Sequence, residues 1–374
     1  MLSDRVAAPP RVNRERLVWI LPATYTVGWV IYVVMSDQWQ RVLDTWRTAL
    51  TMLFGSFVAG STPQGGGAVA FPVFTKVLEI TGPVARTFSL SIQATGMVMA
   101  AMTILIAGRA IDRRAIAIGT AGGLVGFAFG AFALSDSSTL WWEPRIPGPY
   151  IKVGFTIAIA AMAMVVYRCF AGGASGHEGI KQWTRRSAGV LFAFSLAGGT
   201  ASALAGSGAD VFLFLFLVMI AGTHPRVGIP TSIITMALIS VAGFVLFGLI
   251  DGQLATTLNE AGDVVQVGDS LVDPPLAGDR FDLFGIWLGA TVIVVWGAPF
   301  GAWVASVLGE RALIRFVGGM AVAEVITTMI FLEPLRTDRM LLTFGVLGLI
   351  SAFVAVELLA RRRSWIMATP PSGR

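Results

Sequence analysis

Long apolar runs separated by short polar turns make up most of the chain. A helix of about 20 apolar residues crosses the hydrocarbon core of a bilayer. The runs predict full spans at roughly 16–35, 83–108, 113–134, 150–171, 225–250, 281–306, 312–331 and 339–360. Two further apolar stretches, 47–80 and 187–222, break this pattern. As a single helix of about 35 residues, each would reach ~50 Å, well beyond the hydrocarbon core. Each instead carries a glycine cluster near its centre, Gly65-Gly66-Gly67 in the first and Gly206-Ser207-Gly208 in the second. A constant shift of 141 pairs Ser61 with Ser202, Gly65 with Gly206, Gly67 with Gly208, Ala68 with Ala209 and Phe71 with Phe212. Glycines let the backbone leave helical geometry, so each stretch reads as a hairpin of two short helical arms with the glycines at its tip. The expected fold is an all-α polytopic membrane protein with about 8 transmembrane helices plus two glycine-tipped helical hairpins.

Loop charges orient this plan. With the N-terminus inside, the turn Arg109, Arg113 and Arg114 falls inside, as do Lys181, Arg185 and Arg186, then His224 and Arg226, then Arg311, then Arg361 to Arg363. The acidic loop 251–280, with Asp251, Glu260, Asp263, Asp269, Asp273 and Asp279, falls outside. Basic residues gather on the cytoplasmic side of membrane proteins, so the expected location is the cell (inner) membrane with both termini cytoplasmic. Three spans separate the hairpins, an odd number, so the hairpins enter from opposite faces. Inverted duplication of this kind is a common plan of secondary transporters. Its expected segments are 1–46 (tail and first span), 47–171 (repeat 1), 186–335 (repeat 2) and 336–374 (last span and basic tail). Gly126 to Phe132 also resembles Gly297 to Trp303, and Pro83 and Pro225 open the helices after the two hairpins.

Composition supports the membrane assignment. The chain is 55% hydrophobic and 13% charged, against about 25% charged in soluble domains, and its mean hydropathy is +0.75. The first apolar run, Leu17 to Met35, is too long for a signal peptide and has no small-residue cleavage site. A net charge of +5 is accounted for by the inside loops, so no nucleic-acid partner is expected. The single cysteine, Cys169, excludes an internal disulfide, and with only His177 and His224 no metal site is expected. No cofactor is expected either. The tryptophans lie mostly near span ends, where an aromatic belt is usual.

The paired glycine segments, the Pro and Ser/Thr pattern after each, and the run from Gly297 to Leu313-Ile314-Arg315-Phe316-Val317-Gly318-Gly319 resemble the sulfite exporter TauE/SafE family of membrane permeases, over about residues 47–335. The resemblance implies a multi-pass permease for sulfite, sulfonates or other sulfur-containing anions, with export as the direction. Two departures stand out. Ser207 replaces a third glycine, and Asp210 stands where an apolar residue is usual.

A small anion in the membrane needs hydrogen-bond donors in place of its water. Broken helices expose main-chain N–H groups and a positive dipole end. The expected substrate-binding residues are Gln64, Gly65, Gly66, Gly67, Ser89, Gln93, Gly206, Ser207, Gly208, Thr231 and Ser232, with Ser61 and Thr62 as further donors. Glycines elsewhere (Gly122, Gly123, Gly318, Gly319) read as close-packing contacts between helices. An acid inside the membrane calls for a functional explanation. Asp210 is expected either to carry a coupling proton or to cap the free N–H groups of the second arm. Glu324 is a second proton-coupling candidate, with a structural hydrogen bond to a Thr or Ser neighbour as its alternative. Arg86 reads as an anion attractor at the outer mouth or as an interfacial arginine whose head group reaches water.

Together these expectations describe a secondary permease, proton- or potential-coupled, whose partners are a small anionic substrate and the lipid bilayer; a homo-oligomer is left open. The rivals are an anion channel of the same architecture, a permease for another small organic anion, and a membrane-embedded enzyme. No nucleotide-binding motif and no nucleophile–base pair is visible in the sequence, so the chain is expected not to be an enzyme.

Overall fold

The computed structural model describes residues 17–65, 82–136, 143–170, 179–180, 183–258, 264–267, 270–271 and 281–367. The helices are α1 (Ile20–Met35), α2 (Trp39–Asp44), α3 (Trp46–Ser61), α4 (Gly82–Ile106), α5 (Arg113–Ala133), α6 (Gly148–Phe170), α7 (Arg185–Ala205), α8 (Ala209–Leu215), α9 (Pro225–Gly243), α10 (Leu283–Val307), α11 (Glu310–Phe331) and α12 (Arg339–Met367). Among the described residues, eight helices are long and apolar enough to cross a membrane.

The membership of that eight differs in two places from the apolar runs. The segment Ile20–Met35 forms a helix of 16 residues, shorter than a span. The first arm of the second hairpin, Arg185–Ala205, has 21 residues and reaches spanning length by itself. Within the acidic loop after α9, Thr256–Leu258 pairs antiparallel with Val264–Val267 and with Phe281–Asp282. Hydropathy does not announce these short strands.

Local chemistry sets the helix ends. Asp112 caps α5 by accepting the N–H groups of Arg114 and Ala115 at 3.1 and 3.0 Å. Thr184 and Ser187 form a capping box at the start of α7. His224 and Pro225 open α9, the proline taking a position whose N–H needs no partner. Beyond α8 the helix widens into a π turn at Phe216–Ile220.

The bundle is held by two close seams in which glycines let backbones touch. In the first, α5 lies against α7, where Gly123 and Gly199 meet backbone to backbone and Gly126 faces Leu196. In the second, α3 lies against α10, where Gly60 faces Ala298, Gly297 faces Ser56 and Gly301 faces Phe57. A methyl group at any of these glycines would collide with main chain or a short side chain, so only glycine permits the approach. The resemblance of Gly126 to Phe132 with Gly297 to Trp303 thus has a structural counterpart. Each segment packs on the first arm of the hairpin from the other half of the chain. Gly122 is also a packing glycine, whereas Gly318 and Gly319 have nothing within 4 Å and are not.

The contacts fix the helix directions. Helices α4 and α10 run parallel, with Trp287 donating to the Ser91 carbonyl and Gly96 against Val294. Helix α9 runs antiparallel to α4, placing Gly243 on Leu90 and Phe247 beside Arg86. It runs parallel to α5, with Gly123 on Ile239 and Phe127 on Gly243. Since α3 follows α10 and α7 follows α5, the first arms of the two hairpins run in opposite directions through the bundle. The second hairpin leaves and rejoins one end of the bundle. Ile180, just ahead of α7, donates to the Asp112 carboxylate, and Thr231, early in α9, accepts the Asp112 N–H.

Candidate functional site

The site grows from two helix ends. Helix α3 stops where Ser61 and Thr62 donate to carbonyls of their own last turn, Phe57 at 2.6 Å and Val58 at 2.9 Å. The chain then turns through Gln64 and Gly65, the latter at φ 66°. Helix α7 stops at Gly206, a left-handed cap at φ 79° whose N–H returns to the Ser202 carbonyl. Ser207 follows, then Gly208 at φ 141°, and α8 begins. L side chains rarely adopt these angles, which explains the recurrence of glycine at the positions the sequence pairs.

The two tips meet. Ser207 Oγ donates to the Gln64 carbonyl at 3.3 Å. A Cβ placed on Gly65 would lie 2.7 Å from Ser207 Oγ, 2.8 Å from Asp210 Oδ2 and 2.9 Å from Gln93 Oε1. Gly65 is thus the floor of a small polar enclosure with one wall from each hairpin and a third from α4. On its far side Ser89 Oγ donates to the Gly206 carbonyl at 3.0 Å. Gln93 Nε2 donates to Ser89 Oγ and the Gly206 carbonyl, each at 2.8 Å.

Of the sequence-expected residues, the structure brings together Gln64, Gly65, Ser89, Gln93, Gly206, Ser207, Gly208 and Asp210. Gly66 and Gly67 lie outside the described residues, as do Val69, Lys76 and Glu79. Thr231 and Ser232 stand apart. Thr231 Oγ1 donates to the Val227 carbonyl at 2.7 Å and accepts from Asp112 at 3.1 Å, at the end of the bundle away from the tips. Ser232 Oγ donates to the Ile229 carbonyl. Thr231 lies six residues after Pro225 as Ser89 lies six after Pro83, but the second hairpin returns to the end where it began, which puts the two residues at different levels of the bundle.

The enclosure has a definite polarity. The amide N–H groups of Gln93 and the hydroxyls of Ser89 and Ser207 donate to protein oxygens. Among the described residues, three buried oxygens at the tips have no hydrogen-bond partner: Gln64 Oε1, Gln93 Oε1 and Asp210 Oδ2. Asp210 is fully buried, and its other oxygen accepts the Val211 N–H at 3.0 Å. Buried acceptors without partners cost about 1–3 kcal/mol each. The arrangement calls for a proton or a cation at the acceptors. Among the described residues, no three His, Cys, Asp or Glu side chains gather as metal ligands.

The second acid has a different setting. Glu324, on α11, forms a buried ion pair with Lys152 on α6. Thr328 Oγ1 also donates to it at 3.4 Å, and Thr328 shares a hydrogen bond with Thr156 at 3.0 Å. The expected hydrogen bond was to a Thr or Ser on a neighbour, whereas Thr328 belongs to the same helix; Lys152 was not expected, because 172 residues separate it from Glu324 and no local pattern links them. Arg86 is neither at a mouth nor reaching for water. It is fully buried, 4.1 Å from the Phe247 ring centroid, and donates to the Ala203 carbonyl and Gln253 Oε1, each at 3.5 Å.

A family model described as "Sulfite exporter TauE/SafE" matches residues 48–328. Searches of curated proteins and of solved structures gave no match. The family match spans both hairpins and both glycine seams, and the chain belongs to the sulfite exporter TauE/SafE family.

Proposed function

We propose that this membrane permease is a secondary transporter, working as an exporter, for a small sulfur-containing anion such as sulfite or an organosulfonate. The observation that carries the proposal is the meeting of two oppositely directed, glycine-tipped helix ends around Gly65. Helix breaks of this kind in opposed halves are where secondary transporters bind substrate. Main-chain N–H groups of the first tip, with Gly66 and Gly67 retained as donors, hold the anion. Asp210 takes up the coupling proton beside it. A protonated carboxyl gives the unpartnered acceptors a donor and removes a negative charge next to the anion, whose repulsion at short range in low dielectric would be severe. Opposed entry of the hairpins also supports an inverted repeat and alternating access, with the membrane potential contributing when net charge moves.

The test is saturable counter-flow of labelled sulfite in proteoliposomes, followed by competition with a panel of sulfonates and carboxylates. Saturable exchange with sulfur oxyanions ahead of carboxylates is the expected result. Non-saturable flux without counter-flow would assign the same architecture to an anion channel. A preference for carboxylates would assign it to other organic anions.

A further inference from the structure

A second feature lies on the surface of the bundle, away from the tips. A crevice of about 290 Å³ is lined by Val18, Trp19, Thr103, Ile104, Arg109 and Trp303, among others. Its position follows from the end of α4. Gly108 adopts φ 64°, and the Arg109 N–H returns to the Ile104 carbonyl at 3.0 Å. This is the hydrogen bond of a glycine-terminated helix, and it folds Arg109 back against the last turn of α4.

Two polar groups in this crevice lack partners. The Arg109 guanidinium has no hydrogen bond or ion pair among the described residues. Thr103 is 5% exposed, and its hydroxyl has no acceptor. Thr95, Thr156, Thr200 and Thr231 each donate to the carbonyl four residues back; the hydroxyl of Thr103, like those of Thr120, Thr223 and Thr256, finds no partner among the described residues, and of these four Thr103 is the one that lines the crevice. The remaining wall is apolar and open to the outside of the bundle, with Phe300 46% and Trp303 40% exposed and their rings stacked at 5.9 Å.

We propose that this crevice binds an anionic phospholipid, its phosphate on Arg109 and Thr103 and an acyl chain along Ile104, Phe300 and Trp303. An arginine without a carboxylate partner selects net negative charge. A free anion has no use for the apolar wall, whereas an amphiphile fills both parts. Basic pockets between membrane helices hold anionic head groups on the same grounds.

The test is native mass spectrometry of the purified full-length chain with equimolar phosphatidylglycerol and phosphatidylcholine of matched chains. The wild type should retain phosphatidylglycerol preferentially. Arg109→Gln should reduce that preference about fivefold, as expected for one arginine at a phosphate. Thr103→Val should reduce it less and leave thermal unfolding without lipid no lower, since the hydroxyl has no partner to lose. Arg113→Gln, on the exposed first turn of α5 and outside the crevice, should leave the preference intact. Undiminished preference in Arg109→Gln overturns the proposal, and so does an equal loss in Arg113→Gln, which would mean diffuse attraction. Stabilisation of the wild type by inorganic phosphate alone, abolished by Arg109→Gln, assigns the crevice to a free anion and also overturns it.

Discussion

The two hairpin tips share a backbone and differ in side chains. At positions related by the shift of 141, Gly65 and Gly206 both adopt positive φ, 66° and 79°. Ser61 and Ser202 both donate to the carbonyl four residues back. There the likeness stops. Ser202 Oγ also accepts the Ala209 N–H at 3.0 Å, tying α7 to the start of the returning arm. The first tip offers Gln64 where the second has Ala205, and the second offers Asp210 where the first has Val69. What the copies keep is the helix break and the left-handed glycine that follows it. What they have let diverge is the side-chain chemistry that makes one tip different from the other. In the proposed cycle that divergence separates substrate binding from coupling.

The sharpest challenge to this division is the other buried acid. If Glu324 carried the proton, the contrast between the tips would lose its meaning. Its ion pair with Lys152 argues for structure instead. Removing one partner of a buried pair leaves an uncompensated charge, about 3–5 kcal/mol. Lys152→Met should therefore destabilise the protein by about that amount, read in thermal or denaturant unfolding. The double variant Lys152→Met/Glu324→Leu should recover most of the loss and still accumulate substrate in response to a pH step. A stable double variant that no longer responds to pH would move the coupling to Glu324.

The tips should also respond differently to bulk. A Cβ at Gly206 would sit 2.7 Å from the Arg86 carbonyl oxygen and 2.8 Å from Ser89 Cβ, groups fixed by helix α4. Gly206→Val adds left-handed strain and overpacking, together about 2–5 kcal/mol, so folding itself should suffer. Gly65 meets only the ends of the Ser207, Asp210 and Gln93 side chains, which can move. Gly65→Val carries the left-handed strain alone, about 1–2 kcal/mol, so it should lose less stability than Gly206→Val and should lose substrate binding. Gly319→Val, with open space around it, should keep both its stability and its substrate binding. Binding assays on detergent-purified variants, alongside unfolding curves, distinguish the three.

Much of this was legible in the sequence, and the exceptions share a cause. Helix content, the paired breaks and the family follow from local patterns: apolar runs, glycine clusters and a constant shift. The seam segments at Gly126 and Gly297 were also visible, though not that each packs on the opposite hairpin. What stayed hidden depended on contacts distant in sequence. Lys152 pairs across 172 residues, Arg86 is enclosed by Phe247 and Gln253 from the other half, and Thr231 is carried away from the tips by a hairpin that returns to the end where it began. Depth within a helix was readable, but which end of the bundle that depth was measured from was not.

A smaller effect separates the two serines. Ser202→Ala removes the acceptor for the Ala209 N–H at the start of α8 as well as a donor, and should cost about 1–2 kcal/mol. Among the described residues Ser61 Oγ donates only to carbonyls of its own helix, and Ser61→Ala should cost about half as much or less. Equal losses in paired unfolding measurements would mean that the first tip is anchored like the second.

The smallest change in stability, and the most informative about coupling, is expected at Asp210. Its Oδ2 and Gln93 Oε1 both lie within 2.9 Å of one point above Gly65, and neither has a hydrogen-bond partner. Two acceptor oxygens facing each other repel unless a hydrogen lies between them. In the proposed cycle the hydrogen is the coupling proton on the carboxyl, which comes and goes as the cycle turns. Asp210→Asn supplies it permanently as an amide N–H while keeping the shape and the Oδ1 acceptor for Val211. The fold should therefore be unchanged or more stable by about 1 kcal/mol, the worth of one buried hydrogen bond. Substrate binding and counter-flow should persist, because the first tip still presents its main chain. Accumulation driven by an imposed pH step in proteoliposomes should disappear. Asp210→Ala, which loses the hydrogen bonds as well, should bind less tightly than the Asn variant. If the Asn variant keeps the full pH-driven response, Asp210 only caps the start of α8, and the difference between the tips is structural.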